Sequence, residues 1–346
     1  MQAIHQVFRQ MSNDDYHAHG AIGASGLKAF KRSPAHYWAA YLDPEREPKD
    51  TRAMRIGRAW HCALFEPGEF TDRYVADHGI NKLTTRAKVL AELLALDADA
   101  AAAELKRCRG VPDDLKSTTK EGKALYAEIE AAGQRPMPES DLDWIVTEAA
   151  RMHGKDVLPA DTTTTVQKMA AIARAHRISR VIFDQMAEFG VAEQSLFARD
   201  PASGVMLKVR PDYMLRPCPA FPHGLIIDGK STTDASRAGF GRQVWNLDYG
   251  IQAALYPRVY QAALGTAEPP AFLWLAQEKE SPMAAAYYAA SRAVLAHGNA
   301  TIDALLPGVA ECQASGVWPG YPEDVTALDL PAWAEKQMAD AVESVA

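Results

Sequence analysis

Residues 205–230 constrain this chain more than any other segment. An alternating stretch carrying Pro211-Asp212 is followed by an apolar run, Leu225-Ile226-Ile227, that ends on Asp228-Gly229-Lys230. In 205–215 the odd positions Val205, Leu207, Val209, Tyr213 and Leu215 are apolar, and Lys208, Arg210 and Asp212 share the opposite face. A period of two marks a half-buried strand. Residues 225–228 read as a second, shorter strand, separated from the first by a long Pro-rich turn over 216–223. Residues two apart on a strand point the same way, so Asp228 and Lys230 face one side together. If the two strands pair as a hairpin, Asp212 lies beside Asp228.

Adjacent carboxylates repel, and a divalent cation is the simplest compensation. Hard oxygen donors favour Mg²⁺, with Mn²⁺ able to substitute. A lysine beside that cation orients a water or stabilises charge growing on a phosphate. The set suits phosphodiester hydrolysis. Asp–Lys strings of this length arise by chance and usually form a solvated turn. Here the acid closes a buried strand, which a solvated turn does not explain.

The 346 residues leave room for one large domain or two modest ones, and 48% hydrophobic with 23% charged residues is the balance of an ordinary globular chain. The formal net charge of −7 argues against a protein that coats nucleic acid, while allowing an enzyme with a local basic groove. No run of about 18 apolar residues suggests a membrane span. The N-terminus lacks the apolar core of a secretory signal. The four cysteines, Cys62, Cys108, Cys218 and Cys312, show no paired or zinc-ligand spacing, and read as free thiols of a cytoplasmic protein.

Along the rest of the chain, residues 1–20 are expected to be loose. A short helix capped by Ser25 and a second opening at Ser33-Pro34 follow. A helix over 51–65 carries Arg52, Arg55, Arg58 and His61. Residues 80–190 are rich in Ala, Leu, Lys and Glu and read as helical, most clearly over 86–107 and 120–132. Strand character begins near Glu188, with 190–199 as one strand holding Glu193. A helix over 239–256 places Gln252 and Tyr256, four apart, on one face, and Pro257 is expected to kink or end it. Residues 271–277 read as a buried strand and 282–315 as helix. Trp245, Trp274 and Trp318 read as core. Lys28, Lys31, Arg32, the arginines of 52–58, Lys120 and Lys123 suit phosphate binding or a solvated helix face about equally. The order predicts an α/β chain, a mixed sheet flanked by helices. Residues 1–79 form its N-terminal helical part, 80–187 a helical insertion and 188–346 the core.

Motifs spread over most of the chain carry a resemblance. They are Ser25-Gly26-Leu27 with Ser33-Pro34-Ala35-His36-Tyr37-Trp38, Gly57-Arg58-Ala59-Trp60-His61 with Glu66-Pro67, Thr119-Lys120-Glu121-Gly122-Lys123, Glu193 with Ser195, Arg210-Pro211-Asp212-Tyr213, Asp228-Gly229-Lys230-Ser231-Thr232, and Tyr249 with Gln252 and Tyr256. In these the chain resembles the PD-(D/E)xK nucleases, and within them the exodeoxyribonuclease VIII (RecE-like) family of prophages. The resemblance implies a restriction-endonuclease-like fold and Mg²⁺-dependent degradation of linear double-stranded DNA from 5′ ends. It also implies ring-shaped homo-oligomers and a single-strand annealing protein as partner. By motif position His61, Asp212 and Asp228 would be metal ligands, Glu193 a further acid near the metal, and Lys230 the catalytic lysine. Gln252 and Tyr256 would support the site or contact DNA. One departure is Gly229, where a bulky apolar residue is usual.

Other readings compete. They are an endonuclease, a RecB-type nuclease with an iron–sulfur cluster, a non-catalytic module that binds DNA ends in recombination, and a mononuclear iron oxygenase. The scattered cysteines disfavour the cluster, and no second histidine suits the oxygenase.

Overall fold

The computed structural model describes residues 5–8, 11–46, 51–76, 108–112, 115, 118–138, 156–325, 327–329 and 337; the expected helix over 86–107 lies outside them. The N-terminal region holds structure where none was expected, a strand β1 (His5–Phe8) and a helix α1 (Asn13–Ala18). The reason is a pair of cations, Lys208 buried and Arg210 half-buried. Lys208 Nζ donates to the carbonyls of Tyr16 at 2.6 Å and His19 at 2.8 Å, and Arg210 donates to those of Met11 and Ser12. Helix α2 (Ala24–Arg32) starts one residue before Ser25, with Gly23 at its N-cap, so Ser25 does not cap it. Ser33 does cap α3 (Pro34–Tyr37), accepting the His36 amide at 3.2 Å, and that helix runs on as a π-helical turn over Trp38–Leu42. Thr51 likewise caps α4 (Arg52–Phe65), which is followed by α5 (Phe70–Arg73) and β2 (Tyr74–Ala76).

The middle of the chain is less purely helical than its composition suggests. It contains β3 (Cys108–Val111), α6 (Lys120–Ala131), β4 (Arg135–Pro138), β5 (Asp156–Leu158), α7 (Ala160–Ala175), α8 (Arg177–Phe183) and α9 (Met186–Phe189). β2 pairs with β5 and β3 with β4, both in parallel. Pairing between distant segments is invisible to local periodicity.

From residue 190 the chain supplies the strands of the main sheet and most of a second, smaller one. The strands are β6 (Gly190–Ala192), β7 (Ser195–Arg199), β8 (Met206–Val209), β9 (Tyr213–Leu215) and β10 (Leu225–Thr232). Helices α10 (Arg237–Asn246) and α11 (Tyr249–Leu264) cross over to β11 (Ala271–Glu278), which lies parallel to β10. β12 (Ala285–Ala289) and α12 (Arg292–Ser315) complete the described fold. The five-stranded sheet runs β12-β11-β10-β9-β6, and β1-β7-β8 form a second sheet.

Three expectations change here. The helix over 239–256 is two helices, broken where Asp248 takes left-handed backbone (φ 51°), and the second passes through Pro257 to Leu264. Burial of Ile251, Ala253, Leu255, Val259 and Tyr260 along it outweighs the proline's lost hydrogen bond. Residues 285–289 are an edge strand rather than the start of a helix. Tyr287 and Tyr288 point to opposite faces, where their hydroxyls meet Ser179 at 2.8 Å and the Ala235 carbonyl at 2.6 Å. Trp274 is core, and Trp318 packs at its margin, but Trp245 is 70% exposed.

Alternate residues of the sheet feed two cores. Met214, Ile226, Phe272, Trp274 and Ala276 pack under α2, α11 and α12, and Tyr213, Leu215, Leu225, Ile227 and Leu275 pack under α4, α7 and α8. The result is the mixed sheet flanked by helices that the sequence predicts. Among the described residues no helix is long and apolar enough to cross a membrane.

Helices α11 and α12 cross closely at two glycines. A Cβ on Gly298 would lie 2.9 Å from that of Ala254 and nearer still to the Gly250 carbonyl oxygen, whereas one on Gly308 of the same helix would only touch the Phe30 ring at 3.4 Å. Glycine-to-alanine changes inside helices usually stabilise by about 0.8–1 kcal/mol. We therefore expect opposite signs. Gly298→Ala lowers stability by about 1–3 kcal/mol through overpacking, and Gly308→Ala leaves it unchanged or raised, read as the shift in urea midpoint.

Candidate active site

The site begins at a corner in one hairpin. Ala192 pairs with Tyr213 and Leu196 with Val209, so the ladder keeps a single register from β6–β9 into β7–β8. The strands expected over 190–199 and 205–215 are thus continuous in pairing yet bend from one sheet into the other. The bend falls at Glu193-Gln194 on one side and Arg210-Pro211-Asp212 on the other. Pro211 has no N–H to give a ladder. Glu193 adopts left-handed backbone (φ 50°), a conformation costly for any residue with a Cβ. Its N–H reaches the Asp212 carbonyl at 3.4 Å, so the two acids face each other across the corner.

β9 also pairs with β10, Tyr213 opposite Ile227, which brings Asp212 alongside Asp228 as expected. Asp212 Oδ2 accepts the Gly229 amide at 2.7 Å, and Oδ1 faces His61 Nδ1 at 3.4 Å. His61 Nε2 lies 3.1 Å from the Gly229 carbonyl. A carbonyl only accepts, so Nε2 carries a hydrogen, and Nδ1 is the nitrogen turned toward the acids, where a metal ligand would need it. Gly229 is what lets α4 approach this closely. A Cβ there would lie 2.9 Å from the Trp60 ring and 3.1 Å from His61 Nε2. The bulky residue usual at this position does not fit beneath these side chains.

His61, Glu193 and Asp212 each offer one donor atom within 4.8 Å of the other two. Burial, with Asp212 and then Glu66 nearby, pushes Glu193 up to about 8. Arg210 and Arg73 oppose that shift without cancelling it, and Arg73 is also bound by Glu66 at 2.8 and 3.0 Å. One imidazole nitrogen and two carboxylates, crowded enough to retain a proton, fit a hard divalent cation.

Asp228 stands beside this trio in a different role. It is 1% exposed, Gln252 Nε2 donates to its Oδ1 at 2.5 Å, and Lys230 forms an ion pair with its Oδ2. Burial pulls the Lys230 pKa down, but Asp228 and Asp212 more than offset it, so the amine stays charged. Tyr256 is bonded to Gln252 and lies 3.5 Å from the Arg210 carbonyl, on the same side of the sheet.

Two basic residues belong to the site that sequence reasoning left undistinguished or unassigned. Lys28 Nζ lies 4.8 Å from the centroid of the Tyr249 ring and Lys230 Nζ 5.0 Å from the same ring. Burial, and then Lys230, lower Lys28 to about 8. Arg210 donates to Ser195 Oγ at 2.8 Å and anchors the N-terminal segment beside Glu193. Lys28 directly follows the Ser25-Gly26-Leu27 motif, and that adjacency was the available signal for it.

Comparisons with known proteins bear on the family and the fold. The model of a family described as "PDDEXK-like domain of unknown function (DUF3799)" matches residues 23–123 and 143–331. No curated protein matches the chain significantly. Among solved structures, a chain from Eubacterium rectale described as a "Putative exonuclease" aligns over 95% of this chain and 98% of its own, with a TM-score of 0.50 and 12% identity. At that identity it speaks for the fold, which is restriction-endonuclease-like. The chain belongs to the PDDEXK-like DUF3799 family, within the PD-(D/E)xK nuclease superfamily.

Proposed function

We propose that this protein is a divalent-cation-dependent nuclease that hydrolyses phosphodiester bonds of linear double-stranded DNA from its 5′ ends, with Mg²⁺ as its natural ion. The observation that carries the reading is the convergence of His61, Glu193 and Asp212 beside the Asp228–Lys230 pair. The 5′ polarity, a place in phage-type recombination, the annealing-protein partner and ring assembly rest on the motif resemblance to RecE-like exonucleases. The cation would be held by His61, Glu193 and Asp212, with Asp228 at its margin. Bound there, it supplies charge neutralisation for phosphate oxygens and makes water a better nucleophile.

The chain's own groups do the rest. Lys230 donates to the phosphoryl oxygen that gains charge as water attacks, in a site where a fixed donor costs no reorganisation. Asp228 aims that ammonium, and Gln252 holds Asp228. Gln252 is in turn held through Tyr256. Asp212, bonded to the Gly229 amide, ties the position of the ligands to the strand that carries the lysine.

Two predictions follow from these assignments. Lys230→Gln keeps a donor for Asp228 but removes the charge, and should lower digestion of linear duplex with Mg²⁺ by about 10²–10³-fold with circular dichroism unchanged. Duplexes labelled at 5′ or 3′ ends read the polarity, and wild-type rates in the variant would overturn the role of Lys230. Release from closed circular DNA at the same rate as from linear DNA would redirect the reading to an endonuclease.

The second concerns pH. Glu193 sits at about 8 when folded and near 4.5 ordinarily. Unfolded chains therefore lose this proton first, and the cation-free protein loses stability as pH rises between those values, after which the penalty is constant. Glu193→Gln removes the penalty. In EDTA the variant should melt a few degrees above wild type at pH 8.5, with the gap closing toward pH 4.5. Mg²⁺ should stabilise wild type more than the variant. A gap independent of pH would contradict the assignment.

A further inference from the structure

Helix α10 presents an outer face that the described residues leave largely exposed. Phe240 is its buried side chain, stacked on Tyr288. The other side carries Gly241, Arg242 and Trp245, with Arg237 at its edge toward Tyr288, all exposed. Helical spacing puts these four on one stripe, with a guanidinium at each side of the indole. Trp245 is 70% exposed, in contrast to Trp60 and Trp274, which the core takes up almost entirely. Its ring lies against His297 of α12, with centroids 5.4 Å apart and planes inclined by 31°. That contact sets the orientation of one indole face and leaves the other to solvent.

The face adjoins the site just described. Thr232, two residues beyond Lys230, donates to Gln243 Oε1 at 2.7 Å. Gln243 is also bonded to Tyr249, the ring beneath Lys230 and Lys28. Trp245 follows Gln243 by two residues and faces outward, which puts the stripe roughly one helix width, ~10 Å, from that ring. The nearby acids do not make the face negative. Asp248 is engaged by Lys31 at 2.7 Å, and Asp234 lies 3.8 Å from Arg242 as an exposed pair.

We propose that this stripe binds single-stranded nucleic acid, with a base stacked on the free face of Trp245 and phosphates between Arg237 and Arg242. An exposed aromatic flanked by cations is how proteins hold single strands without reading sequence, since every base has a π face and every linkage a charge. The choice of partner rests on charge complementarity: a protein of net charge −7 keeps two arginines on an open aromatic stripe beside its phosphate chemistry. The inference deepens the nuclease reading, because a strand separated near Lys230 would leave along α10.

The test uses the full chain in EDTA with a fluorescein-labelled single-stranded oligonucleotide, followed by anisotropy and by quenching of tryptophan emission. Wild type should bind and be quenched. Trp245→Ala should bind about tenfold more weakly, as expected for one lost stacking contact, and lose most of the quenching. Arg237→Gln with Arg242→Gln should flatten the salt dependence by roughly 1.4 in log–log slope. Unchanged binding and slope in these variants would overturn the inference, as would sedimentation showing that Trp245→Ala dissociates copies that associate in wild type, which would make the stripe a self-contact. Digestion of linear duplex by the same proteins separates the two readings. Unchanged strand binding with intact digestion removes the stripe alone, whereas quenching by the oligonucleotide without any digestion keeps the stripe and removes the nuclease.

Discussion

Two half-buried acids face each other at a bent hairpin, and the electrostatic cost of that arrangement governs the site. Glu193 and Asp212 occupy the inner corner where one antiparallel ladder passes from the main sheet to the smaller one. Without a cation the cheapest relief is a proton, and burial together with the facing Asp212 pushes the Glu193 pKa up to about 8. With a cation the same crowding becomes binding energy. The bend therefore acts as more than a connection between sheets, because it holds a repulsion that a divalent ion, in the proposed reading, would relieve.

The elements around the corner serve to hold it. Helix α4 brings His61 from the side and depends on the missing side chain at Gly229 to come close enough. Helix α11 supplies Gln252 and Tyr256 from the other face, so the lysine-bearing strand is gripped from both layers. Arg210 and Lys208 reach back from the hairpin to pin the N-terminal helix over it. Replacing the corner by a straight ladder would leave these anchors without a common target. Rigid support of this kind is what catalysis by preorganised charge requires.

Much of this was legible in the sequence where local pattern reflects tertiary environment. The run Leu225-Ile226-Ile227 announced a buried strand, so an acid and a lysine directly after it stood out against chance, although the strand continues to Thr232 and holds both inside it rather than at its end. Thr51 marked the start of the helix bearing His61, and residues 271–277 read correctly as a strand because they are apolar on both faces. The corner itself was not legible, since a bend at Glu193 and Pro211 is decided by which sheet each half joins. Residues 285–289 look helical by their alanines, and become a strand only because β11 offers an edge. Trp245 fits a core pattern by composition, but periodicity does not tell which face of a short helix the fold will cover. Gly229 seemed a departure from the expected motif, and its meaning depends on Trp60, far away in the chain.

The central claim is that His61, Glu193 and Asp212 share one divalent ion. Crystals soaked in Mn²⁺ and measured near the manganese absorption edge test it directly through the anomalous difference map. The account predicts a strong peak bounded by those three side chains. A map with no peak there, or with manganese held only by other acids, would contradict it.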